Sequence, residues 1–297
     1  MSHNPSNKDL VILLAGSTGY IGEALKTELL DRNITVICPI RKSENGLRNQ
    51  SYSRRLKIEM VDICSSSDVK KLARKYKVID IIISCIGSRN GSKKEATEVE
   101  YNANKNLLEL GKNCNVKQFI LLSAICVQKP KLAFQKAKLE FEYLLMSSDI
   151  KWTIIRPTAF FKSLSGQIDR VKQGKSFIVF DGGKNTSCKP ISARDLSMFI
   201  IQNINNKKSY NKILIIGGPG PAVSQFDQGQ ILFKLTNKKP KIRSLPSLLF
   251  RLMDLLCIPL SLISYRVSDF RESLRIGLYY ATESMLKWDA KNKKYIS

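Results

Sequence analysis

Leu10-Val11-Ile12-Leu13-Leu14-Ala15-Gly16-Ser17-Thr18-Gly19-Tyr20-Ile21-Gly22 decides how this chain is read. The first six residues are an unbroken apolar run, the pattern of a strand buried on both faces. Three glycines follow at a spacing of three, and Tyr20 to Arg32 then has helical periodicity. Glycine suits this turn because the backbone bends sharply and must come close to a ligand. The helix that opens behind it offers unpaired N–H groups and the positive end of its dipole, which together receive a pyrophosphate. A glycine-rich loop alone is weak evidence. Here strand, loop, helix and a second strand, Thr35 to Ile40, follow in the order that a dinucleotide-binding unit requires, which makes an ordinary turn the poorer reading.

The alternation continues outward. Leu56 to Ile63, Ile79 to Ile86, Gln118 to Ser123 and Trp152 to Arg156 read as strands, the last stopped by Pro157. Ser67 to Tyr76, Val99 to Asn113 and Leu132 to Met146 read as the helices between them. This pattern predicts right-handed crossovers and an α/β fold with a doubly wound parallel sheet, the NAD(P)-binding Rossmann fold. Beyond it, Phe177 to Phe180 and Lys212 to Ile216 read as later strands, with helices at Ala193 to Asn203 and Gln225 to Leu235. Leu245 to Ile263 is apolar but broken by Arg251, Asp254 and Pro259. That suits a substrate-side cap or an interfacial segment, or else helices packed on the sheet, and not a membrane span. The expected organisation is a disordered leader at 1–8, a dinucleotide-binding core at 9–165, and remaining strands with a smaller irregular substrate-side region at 166–297 of the same domain.

Composition excludes several chemistries. The seven cysteines are scattered without a Cys-x-x-Cys pair, against a disulfide framework, a zinc site or an iron–sulfur cluster; no metal is expected. The one histidine is His3, which removes mechanisms built on a histidine base. The net charge of +24 comes mainly from lysines spread along the whole chain. With no arginine-rich arm and no zinc-finger, homeodomain or RNA-recognition signature, no nucleic acid is expected. A solvated lysine-rich surface is the first reading of the charge and contact with an anionic membrane the second. Met1 to Lys8 has neither the apolar core of a secretory signal nor an arginine-rich amphipathic stretch, so a cytoplasmic location is the natural expectation.

The end of the second strand selects the cofactor. NAD enzymes usually carry an acid there for the ribose hydroxyls, but this strand runs into Arg41-Lys42. Arg41 can fork onto a 2′-phosphate and Lys42 adds a second positive charge, so NADPH is the expected cofactor. Asp62 can accept a hydrogen bond from the adenine amino group, and Cys85, Ile86 and Gly87 should line the adenosine and ribose.

The glycine spacing resembles the extended and atypical short-chain dehydrogenase/reductases. Their typical members carry a serine after the fifth strand and Tyr-x-x-x-Lys on the next helix. Ser123 and Lys138 stand in those places, but the tyrosine place holds Phe134. Phenylalanine neither gives nor takes a proton, so an ordinary alcohol dehydrogenase or sugar epimerase is disfavoured. Lys138 can still hold the nicotinamide ribose and add positive charge near the transferred hydride.

Longer stretches resemble a narrower family. Leu122-Ser123-Ala124-Ile125-Cys126-Val127-Gln128-Lys129-Pro130, Phe134-Gln135-Lys136-Ala137-Lys138-Leu139, and Arg156-Pro157-Thr158-Ala159-Phe160-Phe161-Lys162-Ser163-Leu164 look like the NADPH-dependent divinyl chlorophyllide 8-vinyl-reductases, which have an NmrA-like fold. So do Cys188-Lys189-Pro190-Ile191-Ser192, Gly217-Gly218-Pro219-Gly220-Pro221, Arg275-Ile276-Gly277 and Tyr279-Tyr280-Ala281-Thr282-Glu283-Ser284-Met285-Leu286. Phe134 agrees with that family. The resemblance implies a tetrapyrrole substrate, divinyl chlorophyllide or protochlorophyllide, whose 8-vinyl group becomes ethyl. It also implies a place in the cytoplasm of a photosynthetic bacterium or in a plastid stroma.

Hydride would go to the outer vinyl carbon, charge would spread into the macrocycle, and water, Lys138 or Tyr101 would supply the proton. Pro157 and Thr158 would stand with the cofactor. Phe160, Phe161, Leu164, Phe177 and Phe180 suit the flat apolar ring, and Lys162 its carboxylate. The alternative is a non-catalytic NADPH-binding sensor or assembly factor of the same fold. Arg41→Ala should raise the KM for NADPH far more than it lowers kcat, because it removes binding shared by ground and transition states. Steady-state kinetics with NADPH and NADH check this, and unchanged values for both would refute the role.

Overall fold

A computed structural model describes residues 10–41 and 54–296. The expected leader, with His3, and Lys42 lie outside the described residues. The strands β1 (Val11–Ala15), β2 (Thr35–Ile40), β3 (Leu56–Met60), β4 (Ile81–Ser84), β5 (Gln118–Leu122) and β6 (Lys151–Pro157) join Lys212–Ile216 in one sheet of seven. Their order is β3-β2-β1-β4-β5-β6 and then Lys212–Ile216, and every pairing is parallel. The expected doubly wound parallel sheet is therefore present. Both of its faces are covered, so the period of two sorts side chains into two cores. Leu13, Ile37, Ile82 and Phe119 pack under the helices Asn104–Asn113 and Ala133–Met146. Ile12, Leu14, Val36, Ile81, Ile83 and Ile120 face the other way, with residues of Tyr20–Asp31 and Ala193–Gln202.

Strand order reverses between β1 and β4, and at such a switch point the carboxyl ends of the strands leave a crevice. The glycine loop after β1, Cys85–Gly87 after β4 and Ser123–Cys126 after β5 all meet there.

Element boundaries move for local reasons. β3 stops at Met60 and not at Ile63, because the Asp62 side chain accepts a hydrogen bond from the Cys64 N–H (3.0 Å) and turns the chain away. The helix expected from Val99 begins earlier, with a short turn at Lys93–Glu95. It runs π-helically through Ala96–Ala103 before regular α-helix resumes at Asn104.

The later strands divide. Lys212–Ile216 extends the main sheet, whereas Phe177–Phe180 pairs in parallel with Ile242–Leu245 in a separate two-stranded sheet above the crevice. The helix Tyr265–Thr282 also reaches the crevice and packs on Leu248–Ser261, where Arg271 Nε meets Asp254 Oδ1 at 2.7 Å. Leu248–Ser261 contains no buried residue, so the reading in which the Leu245 to Ile263 stretch packs its helix on the sheet does not hold.

Candidate cofactor and substrate cleft

Gly16 adopts φ +83°, and a Cβ there would stand 2.8 Å from the Cys85 carbonyl carbon and oxygen. At Gly22 an added Cβ would fall 2.0 Å from the Gly16 carbonyl oxygen. The first helix therefore abuts the loop with no space for a side chain. Gly19 caps that helix without a side-chain hydrogen bond, and the loop is closed by Gly19 N–H donating to the Gly16 carbonyl at 3.0 Å. A cradle of bare backbone at a helix N-terminus fits a dinucleotide pyrophosphate.

A cleft of about 870 Å³ opens from this cradle toward the C-terminal elements. Of the sequence-derived cofactor residues, Gly19, Tyr20, Ile21, Cys85, Ile86, Gly87, Ser123, Lys138, Pro157 and Thr158 line it. Gly16, Ser17, Thr18 and Gly22 form the turn behind it and are not on its wall. Arg41 follows β2 directly and is exposed. It lies within electrostatic reach of Cys64, whose thiol is pushed up to about 11 by burial and by Asp62. Asp62 bonds the Cys64 backbone and stands apart from the cleft wall.

Lys138 reaches the cleft from the helix Ala133–Met146, but it does not stand there as a lone cation. Its Nζ lies 2.7 Å from Glu100 Oε2, with both side chains largely withdrawn from solvent. Glu100 Oε1 accepts the Ser88 N–H and hydroxyl, each at 2.8 Å. The π-helical stretch brings Glu100 to this wall. Its neighbour Tyr101, one of the proton donors expected from the sequence, packs against the core under the sheet and lines no part of the cleft. The adjacency of an acid to a candidate residue was the only signal that pointed toward Glu100.

Ser123 is equally committed. Its hydroxyl donates to Glu142 Oε1 at 2.5 Å, and Glu142, fully buried, also receives the Arg156 guanidinium. Ser123 thus lines the cleft with its hydroxyl already given to a buried carboxylate. Phe134 lines the cleft in the tyrosine place. The Cys85 and Cys126 thiols also line it, and burial pushes them up to about 12 and about 11, so both stay protonated at neutral pH.

Phe160, Leu164, Phe177 and Phe180 give the cleft its apolar wall, as expected. Phe161 and Lys162 do not join them. They open the short helix Phe161–Leu164 on its outer side, where Phe161 is 53% exposed and the Lys162 ammonium lies 5.2 Å from the Tyr20 ring centre. One helical turn cannot direct successive residues to the same side. Glu283 lines the far wall and binds Lys129 (2.5 Å), Lys131 and the Tyr295 hydroxyl. Among the described residues no cluster of histidine, cysteine and acidic side chains is arranged to hold a metal.

Residues 16–207 match the NAD(P)H-binding family. The chain is 41% identical over 310 residues to the chloroplastic divinyl chlorophyllide a 8-vinyl-reductase of Arabidopsis thaliana, covering 98% of this chain and 73% of that protein. The cucumber (Cucumis sativus) protein of the same name is also 41% identical, with 97% and 72% covered. This chain belongs to the divinyl chlorophyllide a 8-vinyl-reductase family. The family resemblance drawn from the sequence is thereby established, as is an NAD(P)H-binding fold. A nucleoside-diphosphate-sugar epimerase from Staphylococcus aureus superposes with a TM-score of 0.69 at 15% identity, covering 92% of this chain and 90% of that one, a likeness of fold alone. No described helix is long and apolar enough to cross a membrane.

Glu283 makes the cleft of this reductase-family chain sensitive to acid. Burial pushes its carboxyl up, but the hydrogen bonds from Lys129, Lys131 and Tyr295 outweigh that and hold it below its ordinary 4.5. A depressed folded-state pKa stabilises the fold above the unfolded value, and the contribution is lost as pH falls through the folded value. Glu283→Gln should therefore cost about 2 kcal/mol at neutral pH. The difference from wild type should close as pH falls below 4.5 in parallel thermal melts.

Proposed function

We propose that this chain uses NADPH to reduce the 8-vinyl group of divinyl chlorophyllide a, or of the matching protochlorophyllide, to ethyl. Identity of 41% to a reductase of that name across 98% of the chain carries the reading. The cleft supports it. Residues 9–165 would hold the cofactor and residues 166–297 would close over the substrate. The backbone around Gly16, Gly19 and Gly22 would carry the pyrophosphate, and Arg41 would favour NADPH over NADH by pairing with the 2′-phosphate. When bound, the cofactor supplies a hydride for the outer vinyl carbon.

The protein's own contribution is placement and exclusion of water. Lys138, fixed by Glu100, would donate to the nicotinamide ribose while the pair stays neutral overall. Phe160, Leu164, Phe177 and Phe180 would lie against the macrocycle. Charge that develops during reduction spreads over a conjugated ring, so an alkoxide-stabilising serine and tyrosine are not required. The commitment of Ser123 to Glu142 and the phenylalanine at 134 are then no loss of function, and the non-catalytic alternative is supported only by more distant relatives, photosystem II assembly factors at 21–23% identity.

A membrane face completes the reading, with the protein working from the cytoplasm or stroma. Leu255 and Leu256, at 62% and 73% exposure, lie on the Leu248–Ser261 helix. Residues 238–271 carry seven lysines and arginines against two aspartates. Exposed leucines among basic residues suit an anionic bilayer surface. The helix also touches the cleft: Phe250 meets Phe180 edge-on at 5.2 Å. A lipophilic pigment could pass from lipid to site along this edge.

Incubation of the protein with NADPH and divinyl chlorophyllide a should consume NADPH and shift the Soret band to the blue. NADPH binding without turnover would favour the sensor instead. Flotation should show capture by anionic vesicles, loss of that capture for Leu255→Asp/Leu256→Asp with NADPH affinity retained, and none by zwitterionic vesicles.

A further inference from the structure

The reduction needs a proton as well as a hydride, and the cleft offers few groups able to give one. Lys138 is paired with Glu100, and the Ser88 hydroxyl donates to the same carboxylate. The Ser123 hydroxyl is bound to Glu142, and the Thr158 hydroxyl to the Lys189 carbonyl. Remaining aliphatic hydroxyls are far weaker acids than a phenol. Cys126 is nearly sealed from solvent, at 3% exposure, and Cys85 lies against Gly16 beneath the phosphate cradle. Tyr280 is different. It lines the C-terminal side of the cleft, is 44% exposed, and its hydroxyl is partnered by the Cys126 thiol and not by a carboxylate. The other phenol of the cleft wall, Tyr20, follows the glycine loop with the Lys162 ammonium 5.2 Å from its ring centre.

The helix Tyr265–Thr282 places this phenol. Ile276, Gly277, Tyr280 and Ala281 line the cleft, a set of positions that share one helix face. Ile276, one turn before Tyr280, packs in the same cluster as Phe134 and Cys126. The neighbouring Tyr279 points into the protein. Its hydroxyl donates to the Cys126 and Lys129 carbonyls at 3.0 and 3.3 Å, which ties the helix to the turn after β5. The two tyrosine rings meet edge-on at 5.7 Å. A phenol from the C-terminal helix thus lines the same cleft as Phe134, which stands where related dehydrogenases carry theirs.

We propose that Tyr280 is the proton donor of the vinyl reduction, an assignment that rests on the reductase reading. Hydride addition at the outer vinyl carbon breaks the C=C π bond and leaves its electron pair on the inner carbon and the macrocycle. The Tyr280 O–H bond then breaks, its proton forms the new C–H bond at the inner carbon, and the phenolate regains a proton from solvent. The nicotinamide is oxidised and the vinyl group reduced. Desolvation first, then Cys126, which hydrogen-bonds it, and Tyr279 raise the pKa of this phenol, so it is protonated at neutral pH.

Tyr280→Phe removes only the hydroxyl. With NADPH and divinyl chlorophyllide a, kcat should fall about a hundredfold, the scale of a lost general acid. Fluorescence titrations should find NADPH and pigment binding within about twofold of wild type, since the loss is confined to the transition state. Imidazolium buffer should raise the variant's rate in proportion to its concentration and leave wild type unmoved. A variant with wild-type kcat, a loss of pigment affinity as large as the loss of rate, or no response to buffer acid would overturn the assignment. If wild type itself binds NADPH but reduces no pigment, the reductase reading fails and the assignment with it. Turnover by wild type and variant alike removes Tyr280 only.

Discussion

The helix Tyr20–Asp31 can begin where it does only because nothing projects from Gly22 toward the Gly16 carbonyl, 2.0 Å from where a Cβ would stand. That contact sets how near the helix N-terminus comes to the carboxyl edge of the sheet. Gly16, itself against the Cys85 carbonyl, locks the loop to the end of β4. The glycine turn, the floor of the cleft and the switch point in strand order are thus one packing arrangement. An added methyl at either glycine would disturb all three, since a close-packed interior does not deform locally.

Two buried acids organise the rest of the cleft. Glu142 holds Ser123 and Arg156 on the interior side of β5 and β6, and Glu100 holds Lys138 and Ser88 on the cleft side. Each carboxylate is tolerable inside the protein only because charged or hydrogen-bonding partners surround it. Ser123 is thereby committed to one carboxylate and Lys138 to the other, while Phe134 brings no ionisable group to the cleft.

The parts that close the cleft come from the far end of the chain. Phe177–Phe180 with Ile242–Leu245, and the helix Tyr265–Thr282, roof the crevice without joining the main sheet. Their outermost element, Leu248–Ser261, leaves most of its apolar side chains exposed, Leu252, Leu255, Leu256 and Leu260 among them. A soluble domain rarely presents so continuous an apolar surface without a partner for it. The same helix touches the cleft wall through Phe250, so the surface and the site are physically continuous.

Much of this was legible from the order of residues alone. The apolar runs, the glycine spacing and the helical periodicities are short-range signals, and they marked every strand of the main sheet and the cradle at its switch point. The absence of clustered cysteines and the phenylalanine at 134 narrowed the chemistry in the same way. Contacts between distant segments were not legible. That Lys138 meets Glu100 depends on a π-helical stretch that a regular 3.6-residue period does not foresee. That Phe161 and Lys162 turn outward depends on a single helical turn. That Tyr280 lines the same cleft as Phe134 depends on a helix from the C-terminal end packing against the turn after β5. Sequence determines such local patterns because each residue's conformational preference acts over a few neighbours. Which side chains share a cleft is decided only when the whole chain has packed.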